Sequence, residues 1–238
     1  NENYSSYLHL AVHIENIKSV ETLLKLGFNP NVKDKIGGTP LYYASGHSIY
    51  PYEEDDKLTK ILYLLLDYGA EPNQHIGEQE NTPLMNLVGQ QVFKENYLTR
   101  AKLLVEKGKA DVNLKNKYDA TASDLALLDS VSCLGMNHIT RFYAFNEAIK
   151  TAHYLIVTCH SDVKSGFYYN RSKEDIVLIY PVQLLRRLTY PLDSDEYKLK
   201  MEIVEEFARQ GVDYKSEPIP DPIVQYAKMF YPEDWEEY

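Results

Sequence analysis

The chain has 238 residues, of which 44% are hydrophobic and 25% charged, and a formal net charge of −10. This length fits one large domain or two small ones, and the globular composition excludes wholesale disorder. The acidic balance excludes a nucleic-acid role, because phosphate contacts need clustered Lys and Arg.

In chain order, SYLHLAV at 6–12 predicts a first short helix, and LLKLGFNPN at 23–31 ends a second one at Gly27. GTPLYYA at 38–44 opens the next pair. There the Thr39 hydroxyl caps the helix, Pro40 takes the first position where a missing N–H is harmless, and Leu41 starts the apolar face. HSIYPYEEDD at 47–56 interrupts before KILYLLLDYGAEPN at 60–73 resumes the pattern. NTPLMNL at 81–87 and LVEKGKADVN at 104–113 repeat the two phrases a third time. Gly27 and Gly69 permit the left-handed turn that ends a helix, and Asn31, Asn73 and Asn113 are expected to tie up the backbone of the loop that follows. Weaker copies run from Thr121-Ala-Ser-Asp-Leu-Ala126 to HSDVK at 160–164, and from Tyr180-Pro-Val-Gln-Leu-Leu185 to RQGVDYK at 209–215. Ile139, Phe142, Phe145, Ile149, Ala152 and Ile156 fall near one helical face. DPIVQYAKMF at 221–230 reads as a closing helix.

A TPL phrase followed by LL-x-x-G and an Asn, recurring in fixed order, resembles the ankyrin-repeat family, whose unit is a helix pair plus a β-hairpin-like loop of about 33 residues. The resemblance implies an all-α ankyrin-repeat solenoid of helix–turn–helix units with short hairpin-like loops. About five repeats fill 1–215 (1–36, 37–78, 79–118, 119–175 and 176–215), and 216–238 forms a capping helix and acidic tail. The alternative is repeats over 1–120 and a separate helical domain over 121–238. His9 is the one intact His of the family phrase; Tyr42, Met85, Asp124 and Gln183 stand in the matching places, which puts the family's inter-repeat hydrogen-bond network in doubt.

The spacing between markers locates the irregularity. Ser6 to Asn31 spans 25 residues, Thr39 to Asn73 spans 34, and Thr82 to Asn113 spans 31. The Asn-to-Thr junctions are 8, 9 and 8 residues, but Lys164 to Tyr180 is 16. The nine extra residues of the second repeat equal Ser48–Asp56, an insertion between two intact helices. Surface insertions are tolerated because loop-closure cost grows slowly with length.

No cofactor, metal site or catalytic residue is expected. Glu53-Glu54-Asp55-Asp56 lacks the alternating acids, central Gly and distal Glu of an EF-hand, and reads as a solvated run favouring the positive end of the next helix. Cys133, Cys159, His138, His153 and His160 invite a thiol-hydrolase reading, but adjacent Cys159 and His160 point apart and no orienting group is evident. The two cysteines have no disulfide or metal-ligand spacing, which fits a reducing compartment. Asn170-Arg171-Ser172 matches a glycosylation tripeptide without secretory support. Arg186-Arg187 reads as a solvated helix face. No run of 18 apolar residues predicts a membrane span. The chain begins Asn-Glu-Asn without a signal-peptide pattern, which leaves room for a longer parent protein.

By position in the family, partner contacts fall on first helices and loop tips: Tyr42, Tyr43, Met85 and Asn86 on helices, and Asp34, Lys35, Ile36, Glu78, Gln79, Lys117 and Tyr118 at tips. Tyr50 and Tyr52 of the insertion join them, in a chain holding 21 tyrosines, a residue suited to interfaces. The expected activity is protein recognition without catalysis, by a cytoplasmic monomer, of a partner with a basic or mixed patch. The irregular repeats resemble in style the ankyrin effectors that intracellular bacteria such as Legionella deliver into host cytosol, and less closely poxviral ankyrin proteins. Two further classes are a targeting segment of a larger enzyme and a catalytic function within 121–238.

Overall fold

The computed structural model describes residues 6–46, 57–89, 96–132, 147–172, 175–230 and 233. The insertion Ser48–Asp56, with Tyr50, Tyr52 and the acidic run, lies outside the described residues, as do Cys133, His138, Ile139, Phe142 and Phe145. The chain divides into two compact units, Asn1–Lys117 and Tyr118–Tyr238.

The first unit is built from helix pairs: α1 (Tyr7–His13) with α2 (Ile17–Lys25), α3 (Pro40–Ser45) with α4 (Lys57–Asp67), and α5 (Pro83–Val88) with α6 (Tyr97–Lys102). A π-helical turn, Leu103–Lys107, extends α6. Each first helix starts on a hydroxyl cap. Ser6, Thr39 and Thr82 accept the backbone N–H three residues on, at 3.3–3.4 Å, satisfying donors that helix starts leave orphaned. In α4 the buried residues are Leu58, Ile61, Leu62 and Leu65, the i, i+3, i+4, i+7 stripe of a packed helix. The first helices pack in a row, α1 on α3 and α3 on α5, and α4 lies between α2 and α6.

The helix ends follow one rule with one variation. Gly27 and Gly69 stand at φ +85° and +83°, and the next residue closes the helix across five residues, Phe28 to the Leu23 carbonyl and Ala70 to that of Leu65. After α6 the closing bond runs from Ala110 to Leu104, across six residues. The π turn absorbs the extra residue, so the left-handed position falls on Lys109 at φ +62°, not on Gly108 at φ −74°. Gly108 serves a close approach instead: a Cβ there would lie 2.5 Å from the Leu104 carbonyl oxygen.

The loop asparagines reach further than their own loop. Asn31 donates to the Gly69 carbonyl (2.9 Å) and accepts from the Glu71 N–H (2.8 Å). Asn73 repeats the pattern one pair on, with the Lys109 carbonyl (3.4 Å) and the Asp111 N–H (2.9 Å). Each Asn therefore stitches one helix end to the next.

The second unit contains α7 (Ala122–Ser132), helical residues 147–153 (α8) running into a π turn (Tyr154–Thr158), α9 (Pro181–Leu185), α10 (Asp195–Arg209), a 3-10 turn (Tyr214–Ser216) and α11 (Asp221–Phe230). Ile149, Ala152 and Ile156 are buried, as their spacing predicts. The π turn again closes across six residues, Ser161 to the Leu155 carbonyl, and again puts a non-glycine, His160, at φ +54°. Its loop uses the same side-chain turn as the first unit's. Asp162 accepts from the Lys164 N–H and Asp213 from the Lys215 N–H, as Asn29 does from Asn31 and Asp111 from Asn113.

The long junction between Lys164 and Tyr180 is a β-ribbon. β1 (Phe167–Ser172) pairs antiparallel with β2 (Asp175–Ile179), Phe167 opposite Ile179 and Tyr168 opposite Leu178. Alternation buries Phe167 and Ile179 and leaves Tyr168, Ile176 and Leu178 exposed, with Tyr180 just beyond. Arg186 departs from the solvated face expected of it: it is half-buried, donates from Nε to the Glu217 carbonyl (2.9 Å), and its guanidinium sits 4.4 Å over the Tyr214 ring.

Candidate interaction surface

The tip between α2 and α3 is organised by Asp34. Its Oδ1 accepts from the N–H groups of Ile36 (3.0 Å) and Gly38 (2.7 Å), and its Oδ2 accepts from the Tyr43 hydroxyl. A Cβ at Gly38 would meet the Tyr43 ring at 2.8 Å, so Tyr43 would have to shift to admit one. The Gly38 carbonyl only accepts, so His9 Nε2 donates to it (3.0 Å), leaving Nδ1 to accept from the Ser6 hydroxyl (2.9 Å). The Tyr43 ring packs edge-on against His9, with centroids 5.7 Å apart, and against Tyr42. Asp34 and Tyr43 are therefore engaged in building the tip. Lys35 and Ile36 project from it, Ile36 being 63% exposed.

The second tip is closed by the paired N–H···O bonds of Ile76 and Asn81 (3.0 and 3.1 Å), with Gly77 and Glu80 at positive φ. Glu78 and Gln79 lie exposed at its end. The third tip is tied to the second: the Lys117 N–H donates to the Gln79 carbonyl (3.1 Å), and Asn116 Nδ2 donates to Asn81 Oδ1 (2.8 Å). Gln79 and Lys117 are thus brought together, both exposed, with Gln79 Oε1 accepting from Asn81 Nδ2 (3.0 Å). Tyr118 belongs to the second unit, where it is half-buried and its carbonyl accepts from the Tyr168 N–H (2.7 Å).

The first helices contribute less than expected. Met85 is 1% exposed and its sulfur accepts from the Thr82 N–H at 3.4 Å. It fills the core and caps its own helix. Asn86 donates to the Tyr42 carbonyl (2.9 Å), joining α5 to α3. Tyr42 is half-buried, and burial pushes its phenol pKa above the usual tyrosine value. Three of the four residues in the matching places reach back to their own helix cap. Met85 does so through its sulfur, Asp124 Oδ2 accepts from Thr121 N (2.8 Å), and Gln183 Oε1 accepts from Tyr180 N (3.0 Å). His9 additionally spans to the next tip, and Gln183 Nε2 donates to Glu217 Oε1 (2.9 Å).

The sequence reading missed the outward apolar row of the β-ribbon, Tyr168, Ile176, Leu178 and Tyr180. Period-two alternation in FYYNRSKEDIVLIY carried that signal. It also missed exposed Tyr63 on α4 and exposed Tyr68 just past its end. Lys107 Nζ lies 4.3 Å from the Tyr63 ring centre and 2.9 Å from Asp67 Oδ1.

Among the described residues no group of three or more His, Cys, Asp or Glu is placed to hold a metal ion, and no helix is long and apolar enough to cross a membrane. Cys159 is a half-buried thiol, and the exposed His160 beside it pairs with Glu206 at 3.3 Å. No curated protein matches the chain. The ankyrin repeat family model matches residues 4–35, the stretch holding α1, α2 and the start of the first tip. That match, with the mostly helical fold, supports an ankyrin-repeat assignment, and ankyrin repeats are in general protein–protein interaction modules, typically without catalysis.

Proposed function

We propose that the chain is a monomeric ankyrin-type solenoid of about five repeats that recognises a partner protein through its loop tips. The supporting observation is the arrangement of those tips. Backbone bonds hold the loops rigid while Lys35, Ile36, Glu78, Gln79 and Lys117 stand exposed at their ends. Rigid backbones carrying exposed mixed-polarity side chains lower the entropic cost of binding. The five-repeat division over 1–215, closed by 216–238, is part of the proposal. It is supported by the recurrence of the same Asx turn at Asn29, Asp111, Asp162 and Asp213. With a net charge of −10, a partner presenting a basic or mixed patch fits best, and nucleic acid does not. Tyr50 and Tyr52 remain part of the proposed contact surface. A cytosolic site of action, and delivery into a host cell as an effector, belong to the same proposal by resemblance of style.

Photo-crosslinking tests the surface. A photoreactive residue at position 36 or 117 should trap one defined partner in cells, while the same residue at position 25 on α2 should not. Equal trapping from all three positions would sink the tip assignment.

A further inference from the structure

The outward face of the first helix pair is apolar. A groove of about 400 Å³ is lined mainly by Tyr7, Leu10, Ala11, Ile14 and Leu23, with Lys18, Ser19 and Thr22 as its polar members. Tyr7 is 73% exposed, and Leu10 and Ile14 are also exposed.

The same register positions are covered elsewhere in the chain. Tyr7 holds the first position of its helix; Pro40, Pro83 and Pro181 hold it in α3, α5 and α9, and all three are buried. Leu23 supplies the carbonyl that closes its helix end and is half-buried. Leu65, Leu104 and Phe207 supply the corresponding carbonyls and are completely buried. Phe28 is exposed where Ala70 and Ala110 are buried. Within the first unit each helix pair packs on the one before it, α3 on α1 and α4 on α2. The first pair therefore presents the surface that its successors bury in the stack.

We infer that this face is an internal interface of a longer stack. Its occupant is a further helix pair standing N-terminal to Asn1 in the same polypeptide, seated on Tyr7, Leu10, Ile14 and Leu23. Two observations favour that occupant. The uncovered residues lie on two helices in the register that a helix pair covers elsewhere, and the terminal repeats of such arrays ordinarily carry a polar outer face, whereas here Tyr7, Leu10 and Ile14 stand exposed beside Lys18, Ser19 and Thr22. A second copy meeting the face symmetrically would oppose two chains of net charge −10.

The natural reading frame upstream of the Asn1 codon, and the longer protein made from it, test the inference. The upstream segment of about 33 residues should encode an apolar helix pair. In the longer chain the α1 and α2 amides should exchange with deuterium more slowly than in residues 1–238 alone. Tyr7→Asp should change the folding equilibrium of the shorter chain by about threefold or less, as at an exposed site. In the longer chain it should cost more than about tenfold, because the carboxylate is buried there. A start codon directly before Asn1, identical exchange in the two chains, or an equal cost of Tyr7→Asp in both would overturn the inference. So would protection of α1 in the shorter chain that rises with protein concentration, which would give the face to a second copy.

Discussion

Gly108 and Lys109 show how a residue's task depends on one unit of register. A helix end written LVEKG leads one to expect the left-handed turn on the glycine, and the π turn moves it one residue on, to Lys109 at φ +62°. A side chain in that conformation costs roughly 1 kcal/mol. Lys109→Gly is therefore expected to raise unfolding stability by about 0.5–1 kcal/mol. Gly108→Ala should lower it, because the new Cβ would lie 2.5 Å from a backbone oxygen; urea denaturation of the two variants reads the opposite signs. Met85 and Ile36 make a second contrast. Both are apolar residues assigned by position to one surface, yet one is buried and the other exposed. Met85→Ala should cost about 2–4 kcal/mol through the cavity it leaves, and Ile36→Asp less than about 0.5 kcal/mol. Similar thermal midpoints for the two would show that the burial assignment is wrong.

At the scale of elements, the loops are joined through the side chains of Asn31 and Asn73, each making one donor and one acceptor bond to the next helix end. Asn73→Ala should cost about 1–3 kcal/mol, since it strands a backbone N–H and a carbonyl. Asn73→Asp, which keeps the acceptor and loses the donor, should fall between Ala and the parent in chemical denaturation. Deleting Lys109 tests the π turn itself. It restores the five-residue closure of the first two helix ends and puts Gly108 at the left-handed position. The variant should fold and be at least as stable as the parent; a loss of more than about 1 kcal/mol, the size of one left-handed penalty, would mean that the π turn is required for packing. The β-ribbon belongs to this scale as well. Its alternation is present in the sequence, within the run whose marker spacing shows only a long junction.

At the scale of the molecule, two buried charges in the second unit shape its stability against pH. Asp129 is buried with an unpartnered Oδ1, and desolvation pushes its carboxyl up to about 7. Lys200 is buried with its Nζ donating to the Leu188 carbonyl (2.8 Å), and desolvation, aided by the Arg186 charge, pulls its ammonium down to about 7. Between the ordinary carboxyl range and pH 7 the folded chain holds a proton on Asp129 that the unfolded chain has released. Stability from this group is full below the ordinary carboxyl pKa and falls as pH rises to about 7. Above pH 7 the unfolded chain holds a proton on Lys200 that the folded chain has released, so stability rises from about 7 towards the ordinary lysine pKa. Asp129→Asn should flatten the first limb and Lys200→Met the second, read as differences from the parent in denaturant midpoints between pH 4 and 10. An unchanged slope in both variants would place these two groups in contact with solvent.

The sequence by itself determined the features that depend on neighbours three to six residues away. These are the hydroxyl caps at Ser6, Thr39 and Thr82, the glycine ends at Gly27 and Gly69, and the four-residue stripe of α4, because capping and periodicity are local chemistry. The tertiary structure alone decided which candidates face solvent. Met85 is buried by packing, Asn86 is engaged by the Tyr42 carbonyl of another helix and Tyr43 packs against His9, and Lys200 takes a buried position where the Leu188 carbonyl accepts a hydrogen bond from its Nζ. Burial is a property of what lies opposite a residue, and in stacked helix pairs what lies opposite is supplied by the neighbouring pair.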